Sequence, residues 1–401
     1  MNKTYIQRPQ YLKLIKPFIG KDAIKVFTGQ RRVGKSYLMI QTADSIRQMD
    51  KKADIMYIDK ENYNFDFLRN YHDLVKHITA KTGKQRKTYL FIDEVQEIDE
   101  FEKAVRHFAN TGRYDIYLSG SNSKLLSSDL AGKLSGRYVE IRVHGLSYGE
   151  FLIFHKLENN PDSLEKYIRY GGLPYLVNLT MADEQVFGYL KNVFDAVILK
   201  DVISRFDVRN INFLERLIEY LADNLGSLVS AKKISDFLES QNTRLSPNTV
   251  LNYLSFLESC FFLMKCQRMD IAGRKVFEIG EKYYFEDLGL RHTLLNFKQV
   301  DINKIMENLV YSRLVSLGYK VFVGQMPNAE IDFVAENAGE RIYVQVAYLI
   351  SSDRVKKREF GNLLSIRDNY RKFVVTMDKM AAGSVKGIIH RHILDFLTND
   401  L

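Results

Sequence analysis

The chain has 401 residues, 46% of them hydrophobic and 27% charged, which is the balance of a globular protein built from two to four domains. Cys260 and Cys266 are its only cysteines, which excludes a disulfide framework, and the opening run MNKTYIQRPQYLKLIKPFIG lacks the apolar stretch of a signal peptide or membrane helix. A reduced, cytoplasmic setting without a membrane partner is therefore the expectation. The formal charge of +9 is compatible with nucleic acid, yet the lysines and arginines are dispersed, and short clusters such as GKQRK also suit a solvated surface.

Along the chain, AIKVFTG reads as a buried strand ending at glycine, and SYLMIQTADSIRQM has the apolar spacing of a helix. ADIMYID, TYLFIDE and YDIYLSGS are further buried-strand runs separated by helical text. That alternation predicts an α/β fold with a parallel sheet covered on both faces. From about Ser147 to Phe154 the text turns mostly helical. LVSAKKISDFLES and SPNTVLNYLSFLES form a helix–turn–helix pair, with Ser246 as N-cap and Pro247 at the first helical position. CFFLMKCQR and VFEIGEKYYFED follow as two strands, as in the wing of a winged helix. From about Asn303 the order is helix, hairpin, strand, then REFGNLLSIRDNY and KFVVTMD.

GQRRVGKS, Gly29 to Ser36, fits GxxxxGK(S/T) and lies between a strand and a helix. Gly29 and Gly34 let the backbone curl so that successive amides face a phosphate. Gln30, Arg31, Arg32, Val33 and Tyr37 complete the expected nucleotide-contacting stretch. Lys35 is expected on the β- and γ-phosphates of ATP, and Ser36 on Mg²⁺. YLFIDE delivers Asp93 and Glu94 at the C-terminal end of an apolar strand, where open α/β sheets bind ligands. Asp93 is expected to organise the metal, and Glu94 to polarise the attacking water. Ser121 and Asn122 end the next strand, where they could sense the γ-phosphate, or simply form a polar turn. Arg137, in GKLSGRY, could neutralise transition-state charge in its own subunit or across an interface, or be an ordinary surface arginine.

FTGQRRVGKS, LFIDEVQ, LSGSNSKLL, LSGR, HGLSYGEF and YIRYGGLPYLV, in this order, resemble a prokaryotic AAA+-like ATPase family over essentially the whole chain. In that family the ATPase core precedes a domain of unknown function with a winged helix and a restriction-endonuclease-like end. The resemblance implies ATP binding and hydrolysis, with Lys35, Ser36, Asp93 and Glu94 in their usual roles. The expected division is an ATPase domain at 1–150, a helical connector or lid at 151–210, a winged helix at 211–300 and a degenerate nuclease-like domain at 301–401.

As a DNA reader the second helix of the pair is poor. It offers Asn248, Asn252 and Ser255 but no lysine or arginine, beside an apolar stripe of Leu251, Leu254, Phe256 and Leu257. Arg244, Lys265, Arg268, Arg274 and Lys275 could meet phosphate without sequence choice. Packing against the ATPase or a partner is the alternative, and that partner could be another protein or a second copy. In the last domain, Glu307 and Asp332 stand where a PD-(D/E)xK nuclease keeps carboxylates. Gln345 and Ala347 replace its second strand carboxylate and its lysine, which leaves little to hold a hard cation or move a proton. Lys356 or Glu340 would have to substitute. The expectation is an Mg²⁺-dependent ATPase coupled to a C-terminal DNA- or protein-interaction region. The alternatives are an ATP-gated binding module with little turnover and an ATP-stimulated nuclease.

Overall fold

The computed structural model describes residues 5–83, 86–123, 136–208, 210–240, 246–273, 275–277, 280–295, 301–327, 329–378 and 382–401. The chain divides into two compact units, residues 1–144 with 259–261 and residues 145–258 with 262–401.

In the first unit, α1 (Pro9–Ile15) precedes β1 (Ile24–Thr28), α2 (Lys35–Met49), β2 (Asp54–Asp59), α3 (Tyr71–Lys81), β3 (Thr88–Asp93), α4 (Phe101–Asn110), β4 (Tyr114–Gly120) and β5 (Tyr138–Arg142). The five strands are all parallel, in the order β2-β3-β4-β1-β5. Every residue of β1 and β4 is buried, and their charged members Lys25 and Asp115 pair with each other there. Ile58, Leu90, Ile92, Ile116 and Leu118 pack with Leu74, Ile78, Val105 and Phe108 in one core, each contributing about 1.5–3 kcal/mol by leaving water. Asn70 starts α3 by accepting from the amides of His72 and Asp73. Because the strands share one direction, all their C-terminal ends lie on one edge and all their entering loops on the other. The insertion of β4 between β1 and β3 sets its last residues between the loops that leave those two strands.

The second unit opens with α5 (Tyr148–His155), whose Ser147 and Glu150 form a capping box. It continues through α6 (Pro161–Tyr170), α7 (Asp183–Ala196, running into a π-helical stretch Val197–Ser204), α8 (Ile211–Asp223), β6 (Leu228–Val229), α9 (Ala231–Ser240) and α10 (Pro247–Ser259). Next come β7 (Leu263–Asp270), β8 (Lys275–Val276), β9 (Glu281–Phe285), α11 (Leu288–Leu295), α12 (Ile302–Ser316), β10 (Lys320–Met326), β11 (Ala329–Asn337) and β12 (Glu340–Val346). The last elements are α13 (Asp353–Leu364), β13 (Arg371–Thr376), β14 (Ala382–Val385), β15 (Ile388–His392) and α14 (Ile393–Thr398).

The expected boundary at 300 does not separate two sheets. Leu263–Cys266 of β7 pair antiparallel with β9, and Gln267–Asp270 pair parallel with β10. One eight-residue strand thus joins both halves into a ten-stranded sheet, β14-β15-β13-β12-β11-β10-β7-β9-β6, with β8 paired to β7. Nor do residues 151–210 form a unit of their own.

Asp287 explains the YGGLP text. Its carboxylate accepts from the amides of Gly172 (2.7 Å) and Leu290 (3.0 Å), and a Cβ on Gly171, at φ +78°, would lie 2.2 Å from it. Burial, reinforced by Glu286, lifts this carboxyl to about 6.

Candidate functional site

The loop Gly29–Ser36 leaves β1 and enters α2 at Lys35. Gly29 sits at φ +145°, and a Cβ there would lie 2.1 Å from the Val143 carbonyl oxygen, so only glycine fits. Gly34 (φ +96°) and Arg32 (φ +71°) complete the left-handed turns. The Lys35 ammonium is buried and donates to the carbonyls of Gly29 and Gln30, 3.0 Å each, with Glu94 Oε1 at 3.7 Å. The Gln30 carboxamide is fully buried, and neither of its polar atoms has a partner among the described residues. Val33 is buried and its carbonyl accepts from Arg8, whose guanidinium also reaches the His144 carbonyl. Arg31 pairs with Glu61 at 3.2 Å, while Arg32 and Tyr37 are exposed.

Asp93 closes β3 and is 2% exposed. Its carboxylate accepts from Ser119 Oγ, from the Tyr57 hydroxyl at 3.1 Å and from the Ser36 side chain. Burial lifts the Asp93 carboxyl above the usual range in spite of the two serine hydroxyls. Glu94 has a left-handed backbone (φ +51°), and its amide donates to Ser119 Oγ at 2.9 Å. Burial pushes the Glu94 carboxyl up, but Lys35, Gln96, Arg31 and Ser121 outweigh it and hold the group below its ordinary value. Ser121 and Asn122 are buried at the end of β4, between the Gly29–Ser36 loop and Glu94.

Lys35, Ser36, Asp93, Glu94, Ser121 and Asn122 therefore meet on one sheet edge. Ser119 and Tyr57, which sequence reasoning missed, orient the Asp93 carboxylate. Arg137 does not join them. Its carbonyl accepts from the Ile24 amide at the start of β1, about 13 Å of strand from the end at Thr28. A role for Arg137 in its own subunit's site does not fit that position.

These residues fit a nucleotide with its cation. The loop is backbone-lined where a Cβ cannot stand, a lysine and a buried amide without a partner among the described residues lie at it, and a serine hydroxyl and a carboxylate already touch.

A second cluster lies in the second unit. Lys282, on β9 and 5% exposed, puts its ammonium 2.9 Å from Glu330 and 3.5 Å from Glu307. Glu330 and Asp332 share one face of β11. Tyr284 donates to Glu307 at 3.1 Å, and the Asp332 carboxylate accepts from the Val346 amide at 2.7 Å. Gln345 Oε1 accepts from the Asp332 amide at 3.4 Å. Burial opposes the Lys282 charge, but Glu307, Asp332 and Glu330 outweigh it and keep the lysine protonated. Burial, with Glu307 nearby, lifts Asp332 well above its usual range. Lys356 is exposed on α13, and Glu340 pairs with Arg371 at the far end of β12, so neither reaches this cluster.

Arg244 and Arg274 lie outside the described residues. Lys265 pairs with Glu258 at 3.7 Å, and Arg268 donates to Gln325 and stacks on Phe277. On α10, Leu254 and Leu257 are buried, whereas Leu251 is exposed beside Asn248, Asn252 and Ser255 rather than in the expected apolar stripe. Among the described residues no helix is long and apolar enough to cross a membrane.

The AAA domain family matches residues 21–152, and the Domain of unknown function (DUF8612) matches residues 161–301. An uncharacterized protein of Haemophilus influenzae is 36% identical over 404 residues, covering 99% of this chain and 100% of that protein. An uncharacterized protein of Methanocaldococcus jannaschii is 29% identical over 373 residues, covering 88% of this chain and 80% of that one. The solved Walker-type ATPase of Pyrococcus abyssi superposes with a TM-score of 0.52 at 15% identity, over 73% of this chain and 96% of that one. The likeness shows a shared P-loop ATPase fold.

Proposed function

This chain belongs to one family with the Haemophilus influenzae protein and carries an AAA domain of P-loop ATPase fold, and from that premise we propose that it binds and hydrolyses ATP with Mg²⁺. Hydrolysis repositions the second unit, a DNA- or protein-interaction region of winged-helix and degenerate nuclease-like ancestry. The observation that carries this reading is the Lys35 ammonium held by the Gly29 and Gln30 carbonyls beside Glu94. A lysine so placed needs only a small move to meet the β- and γ-phosphates.

Ser36 and Asp93 would hold Mg²⁺, which supplies charge neutralisation on the phosphates when bound. Ser119 and Tyr57 fix the Asp93 carboxylate. Glu94, anchored through its amide to Ser119, polarises the attacking water. Asn122 reads the γ-phosphate from the end of β4. Arg137 can act on nucleotide only across an interface between copies. Nuclease chemistry is not part of the proposal, because a protonated lysine already sits among the carboxylates that a metal would need. The helix–strand–helix–helix order of α8, β6, α9 and α10, followed by the strands β7, β8 and β9, supports the winged-helix ancestry.

Limited proteolysis of the full chain tests the coupling. Glu94→Gln, which holds ATP, should protect the second unit differently from the ADP-bound wild type. Identical patterns, together with slow turnover and nucleotide-dependent partner binding, would favour an ATP-gated binding module.

A further inference from the structure

Some of the lysines and arginines that are scattered in the sequence gather on one edge of the first unit. Five parallel strands bring five entering loops to the edge opposite the nucleotide loop, and every one of these loops carries a basic residue. In strand order along the edge, Lys51 and Lys52 lead into β2, Arg86 and Lys87 into β3, Arg113 into β4 and Lys21 into β1. Arg137 enters β5. Against these seven cations the described residues of the same loops hold two acids, Asp22 and Asp50.

The row is knit together by its own cations. Arg86 donates to the Lys52 carbonyl at 3.4 Å, Arg113 to the Gly83 carbonyl, and Lys87 to the Gly20 carbonyl at 2.8 Å. Lys87 has Asp22 at 3.7 Å, but that carboxylate is 85% exposed, so water screens the pair. The charges therefore remain available to an outside anion. Five strands spaced at about 4.8 Å make the row about 19 Å long. A duplex lying along it presents about eleven phosphates over that length.

We infer that this edge of the first unit is a docking strip for the phosphate backbone of duplex nucleic acid. The strip binds without reading sequence, because it is a row of point charges on loops and offers no element to a groove. It also differs from the wing, where the Lys265 charge is already paired with the Glu258 carboxylate.

The test uses the full chain and a labelled duplex of about 20 base pairs, by fluorescence anisotropy across a salt series. Lys21, Lys51 and Lys52 are exposed, so the triple variant Lys21→Gln/Lys51→Gln/Lys52→Gln should melt as the wild type does. The expected result is at least about tenfold weaker binding near 0.1 M salt, and a log–log salt slope shallower by about 2.7, or 0.9 per lost phosphate contact. Two duplexes of unrelated sequence should bind equally. Lys35→Ala should bind as tightly as wild type, so a failure of the ATPase reading would leave this result standing. An unchanged slope in the triple variant, with binding lost instead in Lys265→Gln/Lys275→Gln, would move the site to the wing and overturn the inference. Tighter binding to phosphatidylserine vesicles than to duplex would overturn it in favour of a membrane surface. Binding to neither would make the row a solvated face.

Discussion

Replacing Lys282 with methionine keeps the buried stem and removes only the ammonium. Glu330 at 2.9 Å and Glu307 at 3.5 Å then lose their cation, and Asp332 loses the charge that offsets Glu307. Removing one partner of a buried ion pair costs about 3–5 kcal/mol. Two features reduce that here. The Glu330 side chain is 32% exposed, so water takes part of its charge. Burial already lifts Glu307 and Asp332, so each takes a proton more readily than a surface carboxylate. The expected loss is therefore about 2–3 kcal/mol. In the Lys282→Met background, Glu307→Gln should recover about 1 kcal/mol, since deleting both ends of such a pair is milder than deleting one. The chain has no tryptophan, so urea unfolding is best followed by far-UV circular dichroism. At an m-value of about 2 kcal/mol/M the second unit's midpoint should fall by about 1 M. An unchanged midpoint would show that the lysine does not hold this cluster together.

Gly29→Ala should abolish nucleotide-induced thermal stabilisation, because its Cβ would be 2.1 Å from the Val143 carbonyl; a normal ATP shift would show that the loop opens differently. Ser119→Ala should lower kcat for ATP by about 10–100-fold with a smaller change in KM, since it orients Asp93 rather than touching substrate; equal losses in both parameters would argue for a general folding defect. Asp287 has a folded value of about 6 against about 3.9 unfolded, so the folded chain keeps a proton that the unfolded chain releases. That contribution is full below about pH 4 and is lost as pH rises through 6. The stability of wild type should accordingly fall relative to Asp287→Asn between those values, and parallel curves would contradict the burial argument.

The residues set locally by sequence were legible: the glycines of the Gly29–Ser36 loop and the carboxylates ending an apolar strand carry their chemistry in adjacent text. What was hidden depends on which strand lies next to which. Ser119 reaches Asp93 only because β4 inserts between β1 and β3. Tyr57 meets the same carboxylate because β2 pairs in register, Ile58 opposite Ile92. Lys282 reads as one more strand lysine until β9, β11 and α12 bring Glu330 and Glu307 to it from 48 and 25 positions further along the chain. Gln345 and Ala347 argued against metal-nuclease chemistry in adjacent text, but no local text announces the Lys282 ammonium among Glu307 and Glu330. The place of Arg137 depends on strand direction, because the parallel course of β5 puts its start on the edge away from the nucleotide loop. The basic row is a further case: its five loops are too far apart in sequence to form one run, and GKQRK shows only the part that leads into β3.

Single-turnover conversion of ATP by the purified full chain, with Lys35→Ala alongside, decides whether the Gly29–Ser36 loop serves hydrolysis. Wild type with Mg²⁺ should convert bound ATP to ADP and phosphate, whereas Lys35→Ala should neither retain nor convert the nucleotide. Equal conversion by both proteins would contradict that role.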